Sequence, residues 1–359
     1  MQRPTAARVG FIGLGMMARD HARDILDHGG RVVAVCEPSD AAYGAAEALF
    51  RERGLPLPSN EPDWRRFIET FADALDVVVI VTPHVLHFGQ ATAAMEAGVD
   101  VILEKPMVMT AAEAEALIET RDRTGRTLMV AFQGTASTRG TEARRLLRSG
   151  ELGQILNISA VVWQDWATNT AGSWRQQPEA SGGGFMFDTG AHMLNTVTDL
   201  AGEDFLDVAA WQADDGYPVD VRTVVMGRLA SGALVTMNGC GRAIPSIDSE
   251  VRFFTTNAIL RTGIYGELLE LQRAGRRRFR RIPAETHGSV WQRFVQVRSG
   301  EAPNPNPAEV GLRMARLWDA IRLSAQNGGA VVTLASAVPI ATTDAGSVAG
   351  AIPLSQTGS

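Results

Sequence analysis

The sequence predicts an α/β fold: an amino-terminal Rossmann domain with a doubly wound parallel sheet, then an α+β domain on a large, open, mostly antiparallel sheet. Three observations predict it. Short apolar runs rich in β-branched residues alternate with helical segments up to about residue 132. The glycine pattern Gly13-Leu-Gly15-Met16-Met17-Ala18 lies between the first of these runs and the first helix. Beyond that point consecutive strands are joined by short glycine turns, which implies antiparallel pairing.

The elements follow in order. Arg8 to Gly13 is a short apolar run ending in glycine, the pattern of a buried parallel strand. Met16 to His28 reads as a helix with Ile25 and Leu26 on its apolar side, stopped by Gly29 and Gly30. Val32 to Cys36 is a second buried strand. Tyr43 to Arg53 is alanine-rich and helical, and Gly54, Pro56 and Pro58 break it. Trp64 to Phe71 reads as a helix, Val77 to Val81 as a strongly apolar strand, and Phe88 to Ala97 as a helix. Val101 to Leu103 and Leu128 to Ala131 are strands on either side of a helix from Ala111 to Thr124. A helix from Arg139 to Arg148 then leads into Ile155 to Trp163, which alternates like a half-buried strand. Ser181-Gly-Gly-Gly184 opens a helix through about Leu200. Strands are expected at Val208 to Gln212, Thr223 to Leu229, Leu234 to Asn238, Val251 to Thr255 and Leu268 to Gln272, with turns at Gly216, Gly232 and Gly266. Pro307 to Gln326 is a long helix, and Gly328 to Leu334 supplies a last strand.

A chain of 359 residues exceeds what one hydrophobic core usually organises. The expected division is residues 1–132, the dinucleotide-binding domain; 133–336, the substrate-binding and oligomerisation domain; and 337–359, a tail that is loosely ordered or lies on a neighbour's surface. The net charge of -6 argues against a polyanionic partner, so no nucleic acid is expected. Arg276 to Arg278 with Arg280 and Arg281 break that balance locally, and read as a solvated hairpin or edge strand. Two cysteines, Cys36 and Cys240, are too few for a disulfide framework and suit a reducing compartment. With no signal-like segment and no apolar stretch of spanning length, a cytoplasmic protein without a membrane partner is expected.

The glycine pattern has a mechanism. The first glycine permits the tight turn, the second lets backbone approach a pyrophosphate, and Ala18 allows close helix packing. The helix amino-terminus then offers free N–H groups to phosphate. Glu37 follows the second strand about twenty residues downstream, where a carboxylate accepts bonds from adenosine ribose hydroxyls. A carboxylate there repels a 2′-phosphate, so NAD is favoured, with NADP possible if Arg31 or Arg51 softens the preference.

Further along stand Val81-Thr82-Pro83-His84-Val-Leu-His87, Leu103-Glu104-Lys105-Pro106, and Gly183-Gly-Phe-Met-Phe-Asp188-Thr-Gly-Ala-His192. With the glycine turn, these resemble the Gfo/Idh/MocA family of glucose–fructose oxidoreductases and inositol dehydrogenases, over nearly the whole chain. The resemblance implies oxidation or reduction of a hydroxyl or carbonyl carbon on a sugar, cyclitol or polyol, and a dimer or tetramer built on the second domain's sheet. His84 stands where the family usually has asparagine, Asn195 where it often has an acidic residue, and Gln133-Gly-Thr where an arginine often follows the strand.

Hydride transfer from a secondary alcohol needs a group to take the hydroxyl proton and a charge to stabilise the developing alkoxide. Asp188 and His192 are spaced i, i+4 and share a helix face, which Asn195 extends. His192 is the expected acid/base and Asp188 its orienter. Lys105, just past a buried strand, is the expected electrostatic partner, and the resemblance raises it above an ordinary surface lysine. Thr82, Pro83, His84, His87 and Glu104 are expected around the nicotinamide with Lys105. The His84–His87 pair has no strong third ligand nearby, so no metal is expected. His21 reads as a packing histidine and Cys36 as a small buried group beside the adenosine. Trp163 and Arg175 are candidate substrate contacts, with Trp166 and Trp174 nearby. Two other functions stay open: the resemblance also allows a glycoside hydrolase that uses a retained NAD for transient oxidation, and a non-catalytic NAD-binding sensor or scaffold is the alternative outside enzymes.

Overall fold

A computed structural model describes residues 6–283 and 288–334. The expected tail from residue 337 lies outside the described residues. The first sheet is built from β1 (Arg8–Ile12), β2 (Arg31–Cys36), β3 (Ser59–Asn60), β4 (Val77–Ile80), β5 (Asp100–Leu103) and β6 (Leu128–Val130). Its order is β3-β2-β1-β4-β5-β6, and every pairing is parallel. The crossover helices are α1 (Met16–Asp27), α2 (Asp40–Ala45), α3 (Glu47–Arg51), α4 (Trp64–Phe71), α5 (His84–Glu96) and α6 (Ala111–Thr124). The strands are buried on both faces, as their unbroken Val/Ile runs require. The helix expected from Tyr43 to Arg53 is two pieces that meet at Ala46. α6 is held at both ends: Thr110 and Glu113 form a capping box, and Gly125 closes it at φ 63°.

Two short helices, α7 (Gln133–Ala136) and α8 (Thr138–Arg148), lead into β7 (Ile155–Gln164). Then come α9 (Trp166–Asn169), α10 (Pro178–Ser181), α11 (Phe185–Asp188) and α12 (Gly190–Ala201). The single helix expected from Gly184 to Leu200 is thus interrupted at Thr189. The second sheet adds β8 (Phe205–Ala213), β9 (Arg222–Leu229), β10 (Leu234–Cys240), β11 (Ile247–Thr255), β12 (Ala258–Thr262), β13 (Leu269–Arg273), β14 (Arg280–Arg281) and β15 (Val332–Thr333). Its order is β14-β13-β12-β11-β7-β10-β9-β8-β15, antiparallel except for β10 beside β7. The fold class read from the sequence is the one observed. The arginine-rich segment is the sheet's edge strand, where a row of exposed charge opposes further pairing.

α12 packs on β7 and β11, while α14 (Ala308–Gln326) packs on β8, so one face of this sheet is covered. Along the strands, inward residues such as Val225, Val235, Met237 and Phe253 are buried. Their neighbours Trp211, Val224 and Met226 point to the other face and are 48%, 42% and 46% exposed. α13 (Val290–Arg298), which the sequence reading passed over, lays Trp291 and Phe294 against the core under α1. α14 also packs on α6, with Arg121 and Glu309 paired at 2.7 Å. The carboxy-terminal helices therefore return to the first sheet and fix it against the second. Among the described residues no helix is long and apolar enough to cross a membrane.

Candidate active site

Strand order reverses between β1 and β4, and in an open parallel sheet the binding crevice forms at that point, beyond the strands' carboxyl ends. Gly13 turns there at φ 89°, and a Cβ on it would strike the Val81 carbonyl oxygen. Gly15 faces open space and begins α1 with no side-chain cap, so the first N–H groups of a 12-residue helix are left for a ligand. Met16 is 70% exposed at the mouth of this turn, with Met17 half-buried behind it. Glu37 is pinned beside it: Oε2 accepts the Leu14 N–H at 2.7 Å and Oε1 the Ser39 N–H at 2.8 Å. Each oxygen keeps a second lone pair for a ribose hydroxyl. Arg31 lies at the opposite end of β2, and Arg51 turns to Glu47 at 3.4 Å, so neither stands beside Glu37. The Cys36 thiol is pushed up to about 12 by burial and then by Glu37, which makes it an inert apolar group. Open glycine, uncapped helix and anchored carboxylate fit a dinucleotide.

α5 begins four residues before the sequence pattern suggested, because Pro83 supplies an extended residue just ahead of it. Thr82 donates its hydroxyl to Gln90 at 2.6 Å, which ties the loop after β4 to this helix. His84 and His87 consequently sit in its first turn. His87 is fully buried, with Nδ1 at 2.9 Å from the Pro106 carbonyl and Nε2 at 3.0 Å from that of Thr82. Burial keeps it below the ordinary histidine range, so the neutral ring donates to one of them. It pins β4's loop to the Lys105 loop and is sealed from any ligand, which removes it from the expected cofactor contacts. His84 donates from Nδ1 to the Ser181 carbonyl at 2.7 Å and meets the Trp174 and Phe187 rings edge-on at 4.7 and 5.6 Å.

The centre of the site is an ion pair. Lys105 Nζ is 3.0 Å from Asp188 Oδ1 and 3.0 Å from the Asp188 carbonyl oxygen. The second carboxylate oxygen accepts from Trp166 Nε1 at 2.8 Å and Arg175 Nε at 3.2 Å. Burial would raise the Asp188 carboxyl, but Lys105, Arg175 and the indole N–H hold it far below the ordinary carboxylate range. Asp188 is thus a fixed anion, held by three side-chain donors. The i, i+4 spacing suggested that it orients His192; its bonds go instead to Lys105, Trp166 and Arg175. The Gly183–Gly184 turn makes this placement possible, since Asp220 caps it by accepting the N–H groups of Gly184 at 2.8 Å and Met186 at 3.3 Å.

His192 is 6% exposed, and neither of its ring nitrogens bonds to another described residue. It is wedged edge-on between Phe132 at 5.9 Å and Tyr265 at 4.8 Å. Burial, then the Lys105 charge, lower it to about 3, so it stands neutral with a free lone pair. Tyr265 was not singled out in the sequence: it lies in a turn beside Gly266, where no periodicity marks it. Glu104 meets His21 Nε2 at 2.7 Å, and its second oxygen accepts the Lys105 N–H at 3.0 Å. Burial opposes both charges, but the pair raises His21 and holds Glu104 at about 2. His21 is therefore half of a buried ion pair rather than a packing residue.

Two other expectations are corrected. Trp163 lies on β7 one residue out of step with the buried Ile158, Ala160 and Val162, so it points to the open face, away from Lys105. Asn195 donates to Thr135 Oγ1 at 3.1 Å, and does not join the ion pair.

Two family profiles match the chain. One, "Oxidoreductase family, NAD-binding Rossmann fold", covers residues 7–132; the other, "GFO/IDH/MocA C-terminal domain", covers residues 141–261. A levoglucosan dehydrogenase of Pseudarthrobacter phenanthrenivorans is 31% identical over 175 residues, 48% of this chain and 43% of that protein. An inositol 2-dehydrogenase of Salmonella typhimurium is 26% identical over 208 residues, 57% of each. The chain thus spans about half the length of the curated relatives it matches. In fold it is similar to an inositol dehydrogenase homologue from Azotobacter vinelandii complexed with NAD+, with a TM-score of 0.80 at 20% identity over 92% of this chain and 98% of the other. With both profiles in chain order and the glycine turn, Lys105 and Asp188 in one crevice, the chain belongs to the Gfo/Idh/MocA family of oxidoreductases.

Proposed function

We propose that this chain is a dehydrogenase that moves a hydride between a nicotinamide cofactor and a hydroxyl or carbonyl carbon of a sugar, cyclitol or related polyol, with NAD preferred over NADP. One observation carries the proposal: an ammonium locked on a buried carboxylate stands beside a neutral histidine whose ring nitrogens bond to no other described residue. Gly13, Gly15, the start of α1 and Glu37 would hold the dinucleotide, which supplies the hydride acceptor when bound. Lys105 uses two of its three N–H groups on Asp188 and keeps one to donate to the substrate oxygen, where negative charge grows as the C–H bond breaks. His192 takes the hydroxyl proton at its free nitrogen. Asp188 stays ionised throughout and holds Lys105 in place. Arg175, half-exposed against Trp174 at 4.5 Å, adds a donor at the rim. The names of the two dehydrogenase relatives support the substrate class.

The test is a panel of sugars, anhydrosugars and inositols with NAD and NADP, followed by absorbance of the reduced cofactor and release of aglycone. NADH accumulation with at least one polyol is the expected result. Aglycone release without net reduction would replace the dehydrogenase by a hydrolase, and silence across the panel would remove both. Copies are expected to meet through the open sheet face around Trp211, Val224 and Met226, and a monomer in sedimentation would exclude this.

A further inference from the structure

The proposed mechanism gives no work to His84, a buried polar group at the crevice. Its ring is fixed on three sides: Ser181's carbonyl takes the Nδ1 hydrogen at 2.7 Å, and the Trp174 and Phe187 rings meet it edge-on. Because a carbonyl only accepts, the hydrogen must sit on Nδ1, and Nε2 is left with a bare lone pair. Nε2 has no partner among the described residues, yet it is not among the sealed, unpaired atoms, so it opens onto accessible space. His84 is 4% exposed overall, so that opening is narrow. Asp188, His87 and Lys105 all act on the ring through their charges, so the ring lies within electrostatic reach of the ion pair. Burial, opposed by Asp188, holds the ring at about 3, so it stays neutral and acceptor-capable at any working pH.

Resting on the dehydrogenase function proposed above, we infer that His84 is a specificity-determining residue whose Nε2 accepts a hydrogen bond from a polyol hydroxyl next to the carbon that Lys105 addresses. A polyol brings several O–H donors to the site, while Lys105, Arg175 and the Trp166 indole present only donors or are already used. His192 is committed to the reacting hydroxyl, so a neighbouring hydroxyl's hydrogen would otherwise go unpaired, and a site built to pair a hydroxyl rejects an analogue that lacks it. His84 supplies the missing acceptor. Trp174, packed on the same ring, walls that side of the hydroxyl.

Two isosteres separate the ring's two nitrogens. In His84→Asn the amide reaches the Nδ1 position and keeps the Ser181 bond, but the Nε2 acceptor is lost. In His84→Gln the amide reaches the Nε2 position. The experiment measures binding of the best polyol of the panel, and of its deoxy analogue lacking the neighbouring hydroxyl, to NADH-loaded protein by calorimetry, together with kcat and KM. For His84→Asn, polyol affinity is expected to fall about 10- to 100-fold, mostly as KM. The deoxy analogue should bind wild type and His84→Asn alike, NADH affinity should be unchanged, and His84→Gln should recover part of the loss. Equal losses for polyol and deoxy analogue, or a loss of NADH affinity, would overturn the assignment of His84 alone. A wild-type protein that binds NADH but no polyol would overturn the function it rests on.

Discussion

At the scale of single residues the site is governed by how charge is paired out of water. Lys105 and Asp188 side chains are 15% and 8% exposed, and neither charge would persist there alone. Pairing leaves the aspartate held by three side-chain donors and the lysine with one N–H to spare. Catalytic value then rests on that remaining donor and on a histidine kept neutral by burial. Lys105→Met is therefore expected to lower kcat by about 100- to 1000-fold, the range seen when a donor to a developing oxyanion is removed. NADH affinity should change little, since the dinucleotide's anchors lie on β1, α1 and β2. Steady-state kinetics together with fluorescence titration of NADH checks both, and an equal fall in cofactor affinity would show that Lys105 serves the cofactor instead. Asp188 was a candidate from its glycine run, and Lys105, at a strand end, became one through the family resemblance. That they are partners was not, since 83 positions separate them.

Elements decide which end of each side chain the ligand meets. β2 brings Glu37 to the carboxyl edge of the sheet, and the turn after β1 gives it the Leu14 N–H to hold. Glu37→Ala removes that anchor and the ribose acceptor together. NADH affinity is expected to fall about tenfold, near the worth of one charge-assisted hydrogen bond, and the preference over NADPH to narrow. Parallel titrations of the two reduced cofactors measure it, and an unchanged preference would show that Glu37 does not face the ribose. The same scale explains what the pattern concealed. Alternation along β7 puts Trp163 on one of two faces without saying which is covered, and only packing of α12 shows that odd positions of the strand are the open ones. α5 begins at Pro83 rather than at its apolar stretch, so the two histidines read as a loop become a helix turn. α13 did carry a legible signal, a Ser289–Gln292 capping box, ahead of a segment with only modest apolar content.

For the whole molecule, burial of neutral histidines links stability to acid. His84 and His192 both stand at about 3 in the folded protein against an ordinary 6.5, so the unfolded chain binds more protons as pH falls below 6.5. Their contribution is fully present above pH 6.5 and is lost progressively as pH falls toward 3. His21 runs the other way: raised by Glu104, it stabilises below 6.5 and loses that effect as pH rises through its folded value. Melting temperature is expected to fall by several degrees between pH 7 and pH 4. His192→Gln, which has no proton to gain, should show a shallower fall from a lower starting point. An unchanged pH slope in that variant, followed by calorimetry, would mean that His192 is not the buried neutral ring described.

The family resemblance singled out Lys105; the sequence by itself determined the Rossmann turn and the order of the two sheets, and offered Glu37, Asp188 and His192 as candidates. These are written in local spacing: strand period, turn glycines and the step from a strand end to a helix start. Only the tertiary structure decided who bonds to whom. Helical spacing names His192 as the neighbour of Asp188, but a buried carboxylate takes the nearest cations and donors that packing delivers, and those are Lys105, Trp166 and Arg175. His192 is left free, and His21 is drawn to Glu104, for the same physical reason: charge in a low-dielectric interior is settled between elements, where sequence distance carries no information.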